Sequence, residues 1–531
     1  MTELTLAHKV SRFSNESKTK PQSTVLGIPS HHAMRLVHST TLCLSEFSEA
    51  DIPPYAILSH RWEEDEVSFQ DMNGCDADKK AGYQKIKHFC RTAAEDGFEY
   101  VWVDTCCIDK TNSSELSEAI NSMYRWYKES EVCYAYLSDV DSGEDPHAPE
   151  SSFSKSRWFT RGWTLQELIA PSVVVFYSSD WKEIGTNSSL QDVIGAVTGI
   201  HVSAFLGDQE DLRNFSIAQR MSWAANRKTT RTEDLAYCLL GLFDISIPML
   251  YGEGEGAFIR LQEEIIKSSD DPTIFAWRSD IVWDYRGGLL ARSPSRFKKS
   301  GSIVRSDGSS TTSFALTNKG VHIQLPLFEV DKEAGGFLGL LNCHDEDSEY
   351  SIGIFLEKNH ETSEYGHRCY CDRLGIMNNS EARTVETKAM YVKQWHPIDF
   401  KKFYRYDQYR IRTANIQDHY PPGFVQSDGM IKQAARKENM TGAIKVAVDG
   451  RTQVILLMIA DGELSASIPT HLEGMSLEEI VHSCEPKEGV WITKPGHIVQ
   501  EISPGRRWFI SLRRQIVSGK RTLTLIVSSL E

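Results

Sequence analysis

From Met34 onward, short apolar runs alternate with segments whose apolar residues recur every three or four positions, the pattern of strands interleaved with amphipathic helices. Tyr55 to Ser59 (YAILS) is predicted as the first strand, entered from Pro53 and Pro54. Tyr83 to Glu95 sets Ile86, Phe89, Cys90 and Ala93 on one helical face, and Tyr100 to Val103 (YVWV) then closes a βαβ unit as a buried strand. Asn112 followed by Glu115 has the form of a capping box, and Leu116, Ile120, Met123, Tyr124 and Tyr127 make one apolar stripe behind it. Cys133 to Leu137 and Ser172 to Tyr177 are the next strands, separated by a polar loop over 138–156 and a short helix over 158–169. Helical patterns follow at 217–226, 231–242 and 257–267.

Beyond about residue 275 the pattern changes to short, spaced β runs such as Ser313 to Leu316, Val321 to Leu325, Ser351 to Leu356, Met390 to Trp395, Ala443 to Val448, Val454 to Ile459 and Leu523 to Val527. Runs of this kind, with Gly, Asn and Ser between them, predict a separate sandwich or barrel-like unit. The expected organisation is a polar tail over 1–33, an α/β domain over 34–200, a helical extension over 201–275 and a β-rich domain over 276–531. A chain of 531 residues exceeds what one core usually serves, so several domains are expected on length alone.

Charge and composition narrow the function classes. A formal net charge of -15 argues against nucleic acid as a partner of the whole molecule, because phosphate binding needs clustered Lys and Arg. The amino-terminal stretch lacks an apolar signal core, and runs such as Val454 to Ala460 are too short to span a bilayer, so no membrane span is expected. Eleven scattered cysteines without paired spacing fit a reducing compartment, and the expected location is cytoplasmic. No metal site is predicted: Cys343, His344, His367, Cys369 and Cys371 lack the usual zinc spacing. Gly252, Gly254 and Gly256 are not followed by the Lys-Ser or Lys-Thr of a phosphate-binding loop, and no G-x-S-x-G or H-E-x-x-H occurs.

Four stretches in order, YAILSHRWEEDEVSFQD from Tyr55, YVWVDTCCIDK from Tyr100, SEAINSMYRWYKESEVCYAYLSDV from Ser117 and SRWFTRGWTLQELIAP from Ser156, resemble the fungal heterokaryon-incompatibility (HET) domain family. The stretch from Ser216 to Ile265 is also similar to the region that accompanies this domain, so the resemblance covers roughly residues 34 to 275. It implies a part in nonself recognition, with the HET domain as the trigger of cell death. Self-association and a partner incompatibility protein are the implied interactions.

A looser resemblance, to TIR domains, rests on YAILS, on VWVD before TCCIDK, on AYLS at Ala135 to Ser138, and on Trp163-Thr-Leu-Gln-Glu167. It implies a flavodoxin-like parallel sheet with helices on both faces. It also implies NAD as a substrate, with no cofactor required and Glu167 as the catalytic carboxylate.

In such a sheet, ligands sit outside the carboxyl ends of the strands. That rule selects Ser59, His60, Arg61 and Trp62, then Asp104 to Lys110, then Ser138. Arg61 is suited to a phosphate and Trp62 to stacking on a base, while Asp104 or Asp109 is suited to ribose hydroxyls. Arg157 and Arg161 are phosphate candidates or solvated loop charges, and Trp158 and Trp163 are core aromatics or cofactor contacts. Glu167 itself reads either as the catalytic group or as an ordinary helix residue. A non-enzymatic death-signalling adaptor and a nucleotide sensor remain the alternatives to an NAD glycohydrolase.

Overall fold

The computed structural model describes residues 33–74, 76–206, 209–280, 286–306, 313–331, 336–358, 365–369, 371–394, 408–412, 416–426, 430–431, 440–448, 451–460, 463–467, 475–483, 491–492, 496–503, 506–517 and 520–530. The polar tail expected over 1–33 lies outside these residues except for Ala33, which opens the first strand.

Seven strands form the first sheet: β1 (Ala33–His38), β2 (Leu44–Ser48), β3 (Tyr55–His60), β4 (Tyr100–Trp102), β5 (Val132–Tyr136), β6 (Val174–Tyr177) and β7 (Glu183–Thr186). Their order is β2-β1-β4-β3-β5-β6-β7. The four central strands β4, β3, β5 and β6 are parallel, whereas β1, β2 and β7 pair antiparallel at the two edges. The sheet is therefore mixed, and these three antiparallel strands, of which β2 and β7 are the edges, are ones the hydrophobic pattern did not mark. β2 and β7 alternate only between partly buried and exposed residues, and a half-covered edge strand carries a weak apolar signal. Every residue of β3 is buried, as expected for a central parallel strand covered on both faces.

Among the described residues five α-helices lie between β3 and β6: α1 (Phe69–Asn73), α2 (Tyr83–Glu95), α3 (Asp104–Cys107), α4 (Ser113–Glu129) and α5 (Thr164–Ile169). The chain steps from β3 to β4 on one side and then from β4 across to β5 on the other. Right-handed crossovers therefore put α2 and α4 on opposite faces of the sheet. The packing agrees: Phe89 of α2 meets Tyr134 edge-on at 5.5 Å, and Tyr127 of α4 meets Trp102 edge-on at 5.9 Å. The reversal of direction between β3 and β5 is a topological switch point, where the loops leaving two adjacent strands diverge and leave a crevice.

Local signals are met with adjustments. Asn112 caps α4 by accepting from the backbone of Ser114 and Glu115, but the box is not closed. The Glu115 carboxylate instead takes Asp109 N–H at 2.7 Å and the Arg35 guanidinium. The expected helix over 158–169 splits into a 3-10 turn at Arg157–Thr160 and α5, because Gly162 N–H is drawn to the Lys228 carbonyl at 2.9 Å. The one expected over 231–242 is likewise a short helix at Asp234–Tyr237 and a 3-10 turn at Gly241–Phe243.

Among the described residues the carboxyl-terminal half forms one nine-stranded sheet over 286–392 and two five-stranded sheets over 408–530. Strands fall at Phe314–Thr317, Gly320–Asp331, Tyr350–Lys358, Thr387–Val392, Met440–Val448, Arg451–Ala460 and Lys520–Leu530, over the β runs of the sequence; Trp395 lies outside the described residues. One apolar core runs without a break from Met34 through Phe275, Trp277 and Phe297 to Val392. Arg368 reinforces the junction: fully buried, it donates to the Phe275 carbonyl at 2.9 Å and lies over the Trp277 ring at 3.7 Å. No helix among the described residues is long and apolar enough to cross a membrane.

Candidate functional site

Side chains on β3 alternate between the two faces of the sheet, and this splits the SHRW run. Ser59 points toward α4 and α5, and its hydroxyl donates to Glu167 Oε2. It also accepts from Trp158 Nε1 at 2.8 Å. Tyr127 closes this group from α4, with its hydroxyl on the Leu58 carbonyl at 3.0 Å and the Glu167 carboxyl beside it. Glu167 is only 7% exposed, and that burial pushes its carboxyl up to about 8. The bond from Ser59 opposes the shift and the nearby Asp104 charge adds to it. At neutral pH the carboxyl is mostly protonated.

His60 points to the other face, where Lys85 of α2 pairs with Glu66. Its Nε2 lies 4.0 Å from Glu66 and 3.9 Å from Asp104, too far for hydrogen bonds, and neither ring nitrogen has a partner. Burial, reinforced by the Lys85 charge, lowers this imidazole to about 3, so it is neutral. Asp104 stands at the end of β4, within electrostatic reach of both His60 and Glu167. Burial opposes its ionisation, but Lys110 and the 2.8 Å bond from Trp62 Nε1 outweigh that and hold it below the usual carboxylate range.

Arg61, Arg157 and Arg161 gather beside this crevice. Burial lowers the Arg61 guanidinium, and repulsion from Arg157 and Arg161 lowers it further. Such mutual repulsion marks a place where an anion is welcome. Arg157 leans on Asp139, with Nε 3.0 Å from the carboxylate. Arg61 Nε, Glu66 Oε2 and Gln166 Nε2 are buried without partners, as both His60 nitrogens are. Buried polar groups are normally satisfied, so unpartnered atoms on both faces of the sheet at this strand end mark it as a place able to take up further polar contacts.

Other expected residues have different settings. The exposed Trp62 ring carries Lys110 Nζ at 3.5 Å on its face while its N–H binds Asp104. Asp109 accepts from Thr111 and from Gln70 at 2.7 Å, an Asx-turn arrangement at the exposed start of the α4 region. Ser138 lies just beyond β5, next to Asp139. Trp163 precedes α5, is half-buried against the core and bonds to Asp234. Arg227 was not anticipated. Buried in the helical extension, it donates to the Arg161 carbonyl and to Thr164 Oγ1, both at 2.9 Å, with one terminal nitrogen unpartnered near Glu167. Nothing local to its sequence marks its place beside Glu167, since the Arg161 and Thr164 groups that hold it there lie more than sixty residues away. Among the described residues no cluster of His, Cys, Asp or Glu is arranged to hold a metal ion.

Sheet, switch point and strand-end crevice together define a mixed α/β module that presents polar groups from several separate segments on one edge. Comparison with known proteins gives that module a family. Residues 55–152 match the model of the family described as Heterokaryon incompatibility protein (HET), so the chain carries a HET domain. Ser59, His60, Arg61, Trp62, Asp104, Asp109 and Ser138 fall inside the matched range, and Glu167 lies just past it. The chain is 51% identical over 224 residues to the vegetative incompatibility protein HET-E-1 of Podospora anserina. The aligned part is 41% of this chain and 16% of that protein, so the chain spans a minor share of its relative's length. No solved structure matches.

Proposed function

We propose that this chain is an effector of heterokaryon (vegetative) incompatibility, and that its α/β module, TIR-like in arrangement, triggers death by cleaving the nicotinamide–ribose bond of NAD. The HET match over residues 55–152 and the similarity to a vegetative incompatibility protein support the first part. The second part rests on one observation: the Glu167 carboxyl meets Ser59 at the switch point of the sheet, with Arg61, Arg157 and Arg161 beside it. In this reading the arginines take the pyrophosphate and Glu167 faces the ribose. The bond from C1′ to the pyridinium nitrogen breaks, its electron pair stays on nitrogen, and neutral nicotinamide leaves. An ionised Glu167 stabilises the positive charge that develops on the ribose, and water then adds to C1′ with release of a proton. One carboxylate suffices because the leaving group begins as a cation. The proposed setting is the cytoplasm, with self-association opening the buried carboxyl to substrate.

The test is nicotinamide release by the purified full chain under assembling conditions, with Glu167→Gln beside it. The expected result is loss of about a hundredfold or more in rate in the variant. Inert wild-type protein at pH 8 to 9 would remove the enzymatic reading. It would leave the adaptor, which the burial of Glu167 favours: a carboxyl protonated and bonded into the core is also what a purely structural residue looks like. Nucleotide binding without nicotinamide release would instead identify a sensor.

A further inference from the structure

A second crevice opens between α4 and the helical extension. α4 runs antiparallel to the central strands, so its carboxyl-terminal half lies beside their amino-terminal ends, where the Tyr55 hydroxyl donates to the Trp126 carbonyl, while Tyr127 on its sheet-facing side reaches back to Glu167. There Asn121, Tyr124, Arg125 and Lys128, one face of α4, look across at the helical extension over a cleft of about 900 Å3. Asn121 fixes the two walls together, donating to the Ile247 carbonyl at 3.2 Å and accepting its N–H at 3.1 Å.

The charge of this cleft is opposite to that of the chain. Four cations, Arg125, Lys128, Arg213 and Arg220, line it against one carboxylate, Asp244, in a protein of formal charge -15. Glu49 neutralises Arg125. Arg220 is the most enclosed of the four. It donates to the Leu242 carbonyl at 2.9 Å and lies 4.6 Å from the Phe243 ring centroid, and its Nε is buried without a partner. Asp271 lies within its electrostatic reach, but that carboxylate already accepts from Ile217 N–H at 2.7 Å and Thr273 N–H at 2.9 Å. Arg213 faces Arg220 as a like charge, while Arg213 and Lys128 are themselves exposed.

We propose that this cleft binds an organic phosphate of nucleotide size, independently of what Glu167 does. Guanidinium and ammonium groups lining one cleft suit phosphate oxygens, and clefts of several hundred Å3 are the usual size of small-molecule sites. The apolar lining from Leu242, Phe243 and Ile265 offers a surface for the organic portion. Both walls belong to segments that brace the strand-end crevice, so occupancy would stiffen α4 against the extension that carries Arg227.

The test is calorimetric titration of the full chain with ADP, and with adenosine as the control that lacks phosphate. Saturable ADP binding below about 1 mM, absent for adenosine and weakened about tenfold by Lys128→Glu or Arg213→Glu, is the expected result. Both positions are on the surface, so the substitutions leave folding intact, and Glu167→Gln should leave ADP binding unchanged. Absence of saturable binding overturns the proposal. So does binding that ignores Lys128→Glu and Arg213→Glu but vanishes in Arg61→Ala, which would place the nucleotide at the strand-end crevice.

Discussion

At the scale of single residues, Glu167 carries a measurable signature whether or not it is catalytic. Its carboxyl is raised by burial from 4.5 to about 8, so the folded state holds a proton that the unfolded chain releases. The stability this confers is complete below about pH 4.5 and is lost progressively up to pH 8, at roughly 1.4 kcal/mol per pH unit, with no further change above. Thermal melts from pH 5 to 9 should show wild-type stability falling faster than that of Glu167→Gln, whose amide cannot titrate; parallel curves would mean that the carboxyl is not protonated. His60 has the opposite sign. Lowered to about 3, it costs stability as pH falls from 6.5 toward 3, because the unfolded chain takes up a proton that the buried ring refuses. The sequence showed both residues as strand-end or helix candidates. It did not show that they face different sides of the sheet, or that Tyr127 and Arg227 flank Glu167, because those relations come from strand pleat and long-range pairing.

Elements show where local signals meet a neighbour. α2 and α4 could be read from spacing because each buries one stripe against the sheet, and a 3.6-residue period needs no tertiary information. The expected helix over 231–242 was interrupted by something the period cannot express. A Cβ at Gly241 would overlap the Tyr124 side chain of α4, so the segment turns with glycine at its closest approach. Gly241→Ala is therefore expected to destabilise the protein by about 1–3 kcal/mol through overpacking. Chemical denaturation of the two proteins checks it, and a loss below a few tenths of a kcal/mol would show that Tyr124 yields freely. The same contact forms a wall of the cationic cleft, so the variant should also disturb ADP binding there.

For the whole molecule, the decisive feature is a core that does not stop where the composition changes. Phe275, Trp277, Phe297 and Val321 belong to one cluster with Leu58 and Phe89, and Arg368 fastens its buried guanidinium to the Phe275 carbonyl. A chain cut after residue 275 should expose this apolar surface, associate nonspecifically and melt without cooperativity, whereas one ending at 394 should unfold cooperatively; size-exclusion and circular-dichroism melts decide between them. A piece over 33–275 with the full chain's melting temperature would refute the coupling. By itself the sequence determined the alternation of strands and helices in the HET region, the β-rich character beyond it and the residue types at the strand ends, since each is written in local periodicity and in the order of short motifs. Tertiary structure alone decided the mixed edges of the sheet, the meeting of Ser59 with a carboxyl 108 residues away, and the cationic cleft. Those depend on which strands pair and which faces pack, and such long-range contacts leave no period in the chain that makes them.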